Sequence, residues 1–356
     1  MRGVPLRCPY HLYIKKNKSV SCFSCLQTYY TRRLLVRAFE TINELKHVLF
    51  ASYSKNTAYH KVKNNWNPFN RYVGQCVITS MIINRMFGGV ILCGFIENLN
   101  INHYWNSIND TEIDLTIEQF TEKPHIVNIK TISFCELYDN ENIRNRYEQL
   151  LAHVTDVKDR LDLLEDEIYR CSLCSNVDKF MSKTIHYGSN CNLLFIGEAP
   201  AKSGWRITGK VWTGSDGKII PSGKVFEKLL QIIGLELFDA SFTEAIKCYP
   251  SSGKVTATNN KYCEKHLNNL INILKPNLLV PMGTHAARNL LETTQPISQI
   301  AGKIYTSSKF EYNIRIMPIY HPSPISPMGY KNNIEIFENL KRIIKKSKEN
   351  YDDIQE

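Results

Sequence analysis

Between Arg146 and Arg170, the apolar positions Leu150, Leu151, Val154, Val157, Leu161, Leu164 and Ile168 recur every three or four residues, with charged side chains between them. That spacing predicts one amphipathic helix. From residue 190 onward, short apolar runs alternate with segments of helical period. The runs at 192–197, 242–248, 277–283 and 313–322 read as buried strands. Segments 222–234, 259–275, 284–292 and 332–346 read as helices. Such alternation predicts an α/β domain in three layers, a parallel sheet with helices on both faces. Upstream, 76–87 has helical spacing while 90–96 and 112–115 read as strands, an α+β pattern. The polar stretch YDNENIRN (138–145) is the expected boundary between the two.

Ligands of parallel sheets bind beyond the carboxyl ends of the strands. Four segments should therefore converge: Gly197-Glu198-Ala199-Pro200, Cys248-Tyr249-Pro250, Gly283-Thr284-His285 and His321-Pro322-Ser323-Pro324.

Composition narrows the field. Of 356 residues, 22% are charged and 43% hydrophobic, which excludes a wholly disordered or fibrous chain. A formal charge of +10 favours an anionic partner such as nucleic acid. No apolar run reaches the ~20 residues of a membrane helix. The start, MRGVPLRCPYH, has no apolar stretch behind its charges, so the expected location is cytoplasmic, without a membrane partner. Eleven cysteines, an odd count, argue there against a disulfide framework and leave metal ligands, a catalytic thiol or buried filler.

The cysteine spacings suggest several sites. Cys8, His11, Cys22 and Cys25 form CxxH and CxxC pairs ten residues apart, zinc-knuckle spacing. The first 39 residues hold eight Arg or Lys and no acid, which suits a small basic zinc module or a basic tail. Cys171 and Cys174 form a second CxxC, with Cys248 and Cys263 far downstream. Cys76 opens the helix 76–87, where the positive end of the helix dipole favours an anion. His103 and Asp114 follow in the order thiol, base, orienting carboxylate, a candidate second catalytic site. A helix-start Cys that is merely buried filler remains the alternative.

Two resemblances organise these motifs. GEAP after the first strand, AIKC ending the second, PMG ending the third and HPSP ending the fourth resemble the uracil-DNA glycosylase superfamily over about residues 169–346. The likeness is to its iron–sulfur branch, often called type four or five. It implies a DNA glycosylase of base-excision repair that flips a deaminated or modified base, uracil or a relative, and hydrolyses its N-glycosidic bond. It also implies a [4Fe–4S] cluster on Cys171, Cys174, Cys248 and Cys263; zinc on the same thiolates is the alternative. Glu198 becomes the carboxylate near the sugar and His321 the donor to the base. Gly197, Trp212 and Glu244 become base-binding, with Trp212 of GKVWTG in the place of a stacking Phe. Ser323, Pro324 and Ile325 become the loop that wedges the DNA. One departure is Glu244, where uracil readers usually carry Asn. Either Glu244 is protonated, or the base presents donors. A non-catalytic module that binds damaged bases is the alternative function.

Residues 66–121 resemble the YunG-like family, itself similar to papain-like or transglutaminase-like folds, through GQC at a helix start, HYWN and EIDLT. With Cys76, His103 and Asp114, one reading is a hydrolase or acyltransferase that the other half would target to DNA; a degenerate substrate-binding or docking domain is equally compatible. The expected organisation is a zinc-ribbon-like module (1–40), a YunG-like α+β domain (41–140), a linker helix (141–168) and a glycosylase-like domain (169–356). Oligomeric state is not legible.

Overall fold

The computed structural model describes residues 39–175, 177–178, 184–325 and 327–349. The proposed zinc ligands Cys8, His11, Cys22 and Cys25 lie outside the described residues. Among those described, no helix is long and apolar enough to cross a membrane.

The amino-terminal half begins with α1 (Ile42–Ser52), capped by the Thr41 hydroxyl, which accepts from the Glu44 amide at 3.1 Å. Helix α2 (Cys76–Phe87) is buried along most of its length. Strands β1 (Val90–Ile96), β2 (Ile101–Ile108), β3 (Thr111–Ile113) and β4 (Ile126–Ile132) form an antiparallel sheet in the order β3-β2-β1-β4. Helix α3 (Phe134–Asp139) follows. The stretch 138–145 is a junction of two helices rather than a loop: the Asn140 side chain accepts from the Ile143 amide at 3.1 Å and starts α4 (Glu141–Arg170). All seven apolar positions of the predicted helix are buried. Helix α4 packs on α1, on α2 and on α7 (Ala257–Leu274), so it joins the two halves instead of bridging open space.

The carboxyl-terminal half contains β5 (Val177–Asp178), β6 (Ile185–His186), β7 (Asn190–Gly197), α5 (Trp205–Thr208), α6 (Pro221–Ile232), β8 (Ala240–Glu244), β9 (Tyr249–Pro250) and α7. It continues with β10 (Leu278–Pro281), α8 (Thr284–Leu291), α9 (Ile297–Ile300), β11 (Tyr305–Ser307), β12 (Ile314–Ile316) and α10 (Pro327–Glu349). The main sheet has the order β11-β12-β10-β7-β8-β6. Its four inner strands are parallel, as expected, but both edges run antiparallel, so the sheet is mixed. The edge strands are only two and three residues long, too short to show alternation in sequence.

The layering follows from the period of a doubly buried strand. On β7, Leu193 and Phe195 face a core shared with Phe226, Leu229, Phe337 and Leu340 of α6 and α10. Leu194 and Ile196 face the opposite core, which runs without a break through α7 and α4 into α1 and α2. Truncating Phe195, fully buried, would cost about 3–5 kcal/mol. Polar contacts stitch the same seam. Lys46 donates to the Ser189 carbonyl at 2.8 Å, and His47 Nε2 lies 3.0 Å from the Gly188 carbonyl and 2.9 Å from Ser241 Oγ. Burial pushes the His47 imidazole down to about 3, so it sits there neutral.

Candidate active sites

The inner strands release their connecting segments on one edge. Ala245 donates its amide to the Gly197 carbonyl at 2.9 Å, Met282 to Ile196 at 2.8 Å and Gly283 to Ile319 at 2.9 Å. Gly197-Glu198, the segment after Glu244, Gly283 to His285 and His321 to Pro324 thus leave the sheet side by side.

Glu244 ends β8 almost fully buried, and its carboxyl lies against Gly197, where even a Cβ would collide with Oε2. Among the described residues that oxygen has no hydrogen-bond partner. Burial first, then the nearby Glu198 charge, push this carboxyl up to about 8, against the pull of Lys247. Lys247 is buried too; its ammonium donates to Thr243 Oγ1 at 2.7 Å and to the Glu244 carbonyl at 2.6 Å. Glu198 is half-exposed, with His285 Nε2 3.9 Å from its Oε1. His321 stands at the rim with its Cβ beside Gly283, and the surrounding protein lowers its pKa, favouring the neutral imidazole.

Trp212 is buried, not open to the rim. Its ring packs on Phe226 and Phe242 with centroids 4.9 and 4.8 Å away, and Phe242 abuts Gly197. Its backbone is left-handed (φ 58°), an unfavourable state for so bulky a side chain and a mark of a constrained loop. Ile325 is 92% exposed, with Ser323 Oγ accepting from its amide at 3.3 Å. Pro324 beside it is exposed as well.

The second CxxC lies where α4 ends. Cys171, Cys174, Cys248 and Cys263 all line one cavity of about 130 Å³, together with Lys247 and His266. The ribbon of β5 and β9 holds the segment after Cys174 against the one after Cys248. Asn259 donates to Cys174 Sγ at 3.4 Å. Burial pushes the Cys263 thiol up, opposed by the Lys247 amide and ammonium. Among the described residues no group of three or more His, Cys, Asp or Glu is placed to hold a single metal ion. One zinc ion would need its sulfurs within roughly 4 Å of each other, given Zn–S bonds near 2.3 Å. The four thiols share this one cavity, as ligands of a common group would.

In the amino-terminal half, His103 on β2 and Asp114 just after β3 face each other, with Nε2 2.6 Å from Oδ2. Asp114 is itself fixed: its Oδ1 accepts from the Thr116 amide at 2.9 Å and hydroxyl at 3.0 Å. Trp105 stacks parallel to the imidazole, and Phe120 meets it edge-on with centroids 5.1 Å apart. Cys76, at the start of α2, also interacts with the ring. Burial opposes the imidazolium, but Asp114 and Cys76 together outweigh it and bring His103 up to about 10. Cys76 lines a cavity of about 950 Å³.

Comparison with known sequences shows what each half is similar to. Residues 185–344 match the uracil DNA glycosylase superfamily. Residues 41–159 match the YunG protein family. A type-4 uracil-DNA glycosylase of Saccharolobus solfataricus is 28% identical over 172 residues, 46% of this chain and 76% of the relative. A type-5 uracil-DNA glycosylase of Pyrobaculum aerophilum is 26% identical over 170 residues, 43% of this chain and 70% of the relative. The YunG protein of Bacillus subtilis, designated uncharacterized, is 26% identical over 121 residues, 33% of this chain and 98% of the relative.

The glycosylase-superfamily match contains Gly197, Glu198, Trp212, Glu244, Cys248, Cys263 and His321, and starts after Cys171 and Cys174. The YunG match contains Cys76, His103 and Asp114. The sequence put His285 in a converging segment and Lys247 just before Cys248, but gave neither a place beside Glu198 or Glu244. Gln119, whose Nε2 is 3.4 Å from His103 Nδ1, carried no signal because its single helical turn, Ile117–Gln119, is too short to show a period.

Proposed function

We propose that the carboxyl-terminal half is a DNA glycosylase that removes uracil from DNA, with Glu244 in its protonated form reading the base. The observation that carries this reading is the Glu244 carboxyl, buried against Gly197 and raised to about 8. An ionised carboxylate only accepts hydrogen bonds, whereas a protonated one offers a donor and an acceptor, like the Asn amide of the family pattern. The donor matches uracil O4 and the acceptor N3–H. The departure at this position is then a chemical equivalent at neutral pH.

Cleavage of the N-glycosidic bond leaves positive charge on the sugar and negative charge on the base. Glu198 orients the attacking water and takes up its proton while its negative charge faces the cationic sugar. Neutral His321 donates N–H to the base oxygen, where the bond electrons collect. Its lowered pKa suits this, because donation needs only the N–H. Trp212 and Phe242 form an aromatic wall behind Gly197, and Ile325 is the apolar wedge that occupies the gap left by the flipped base.

Cys171, Cys174, Cys248 and Cys263 would hold a [4Fe–4S] cluster, a reading supported by their all lining one cavity. Bound there, it supplies a structural clamp between the end of α4, the Lys247–Cys248 loop and α7. Zinc on the same thiolates is the second reading of that site, and tetrahedral convergence would favour it. Exposed basic side chains including Lys202, Lys218 and Lys254 supply sequence-independent phosphate contacts.

The test is uracil release from a labelled oligonucleotide by the wild type, Glu198→Gln and His321→Ala. The reading expects an abasic product with the wild type and a loss of about 10²–10³ in rate for His321→Ala. Tight DNA binding with no abasic product would replace it with a non-catalytic recognition module.

A further inference from the structure

We infer that the amino-terminal half carries a separate acyl-transfer site, in which Cys76 is the nucleophile, His103 the proton carrier and Asp114 its orienting group. The substrate class is a peptide-like amide or ester bound in the adjoining cavity. The inference does not depend on the glycosylase reading, since no residue is shared between the two sites.

The His–carboxylate half of a thiol triad is built here, and Cys76 interacts with the same imidazole from the start of α2. His103 is fixed on three sides: Asp114 holds Nε2 at 2.6 Å, Trp105 covers one ring face, and Phe120 closes on it edge-on. With Nε2 held by Asp114, Nδ1 is the nitrogen that serves the nucleophile, as in acyl-transfer triads generally, and the Gln119 amide approaches it at 3.4 Å. A merely structural histidine would not need an anchored carboxylate on one side and a thiol on the other. Cys76 opens a helix of 12 residues, whose first amides lack intrahelical partners. The amides of Cys76 and Val77 can therefore stabilise an oxyanion formed beside the sulfur.

The cavity indicates what is bound. At about 950 Å³ it is large enough for several residues of an extended chain. Its lining combines the amide side chains of Asn65, Asn98, Asn102 and Gln119 with the aromatic rings of Tyr59 and Tyr104. Amides pair with peptide groups in both directions, as donors and acceptors.

The reaction balances without a cofactor. The Cys76 thiolate attacks the carbonyl carbon, a C–S bond forms, and the C–N or C–O bond breaks. The leaving amine or alcohol takes the proton from the His103 imidazolium. Water then attacks the thioester, giving its proton to His103, and the C–S bond breaks to release a carboxylic acid.

The experiment uses the full chain with iodoacetamide and with p-nitrophenyl esters of acetate and of a short peptide, read by peptide mass spectrometry. Alkylation of Cys76 at pH 7 should exceed that of glutathione by roughly tenfold, the ratio set by thiolate fraction and nucleophilicity. Each ester should leave an acyl mass on Cys76, with a burst of p-nitrophenolate. His103→Ala should lose both effects while near-ultraviolet circular dichroism stays native. Should that variant fail to fold, Asp114→Asn is read instead and should slow acylation about tenfold or more. Alkylation no faster than glutathione would overturn the proposal, and so would fast alkylation without any acyl adduct.

Discussion

The carboxyl group of Glu244 occupies the space that any side chain at position 197 would need: a Cβ on Gly197 would collide with Oε2. The glycine of GEAP is thus required by its neighbour on β8 as much as by its own turn. Gly197→Ala should displace the carboxyl, lower uracil release by at least about tenfold and destabilise the fold by about 1–3 kcal/mol through overpacking. Single-turnover kinetics and thermal melting check both.

Glu244 also makes stability depend on pH in a defined direction. Its folded pKa of about 8 lies above the ordinary carboxyl value of 4.5. The folded state therefore holds the proton more tightly, and the stability this provides is complete below pH 4.5 and lost as pH rises through 8. Glu244→Gln, neutral throughout, should match the wild type at low pH and exceed it above pH 8 by roughly 2–4 kcal/mol. Its uracil release should also persist above pH 8, where that of the wild type falls. Melting curves and rates from pH 5 to 9.5 decide it.

The His103–Asp114 pair has a different window. His103 titrates near 10 in the folded chain against 6.5 as its ordinary value. Its stabilisation is complete below pH 6.5 and disappears as pH rises through 10. Asp114→Asn should cost about 3 kcal/mol at pH 6, because it leaves a buried cation unpaired, and much less at pH 10. Chemical denaturation at the two pH values measures the difference.

Cys263 is the most buried of the four thiols around the second cavity. Anaerobically purified protein should show visible iron–sulfur absorbance with about four iron and four sulfide per chain if the cluster is of the [4Fe–4S] type. Cys263→Ser should abolish it and lower the melting temperature. Zinc without sulfide in the wild type would assign the site to a single ion.

Ile325 projects almost fully into solvent. If it wedges the stack, Ile325→Ala should slow release from duplex DNA more than from single strands, since only the duplex must be opened. Equal loss on both substrates would remove that role.

Much of this was legible in the chain. Buried parallel strands show as continuous apolar runs, so β7, β8, β10 and β12 could be found, and the strand-end motifs then fell on one edge. The stripe from Leu150 to Ile168 marked α4 in full. Its role was not legible, because an amphipathic pattern shows that a face is covered but not by what; here it is covered from both halves. Edge strands β6 and β11 escaped because two or three residues carry no period. Trp212 was expected at the rim, but its side chain instead completes an aromatic core with Phe226 and Phe242. The approach of His285 to Glu198 depends on the register of separate strands, which no local pattern encodes.

The central claim is tested most directly by incubating the wild-type protein with oligonucleotides carrying uracil, hypoxanthine, xanthine or only normal bases, then cleaving abasic sites with alkali. A protonated Glu244 reading O4 and N3–H predicts strand breaks at uracil and none at cytosine. Intact strands across the whole panel, with the protein folded and its cluster loaded, would contradict it.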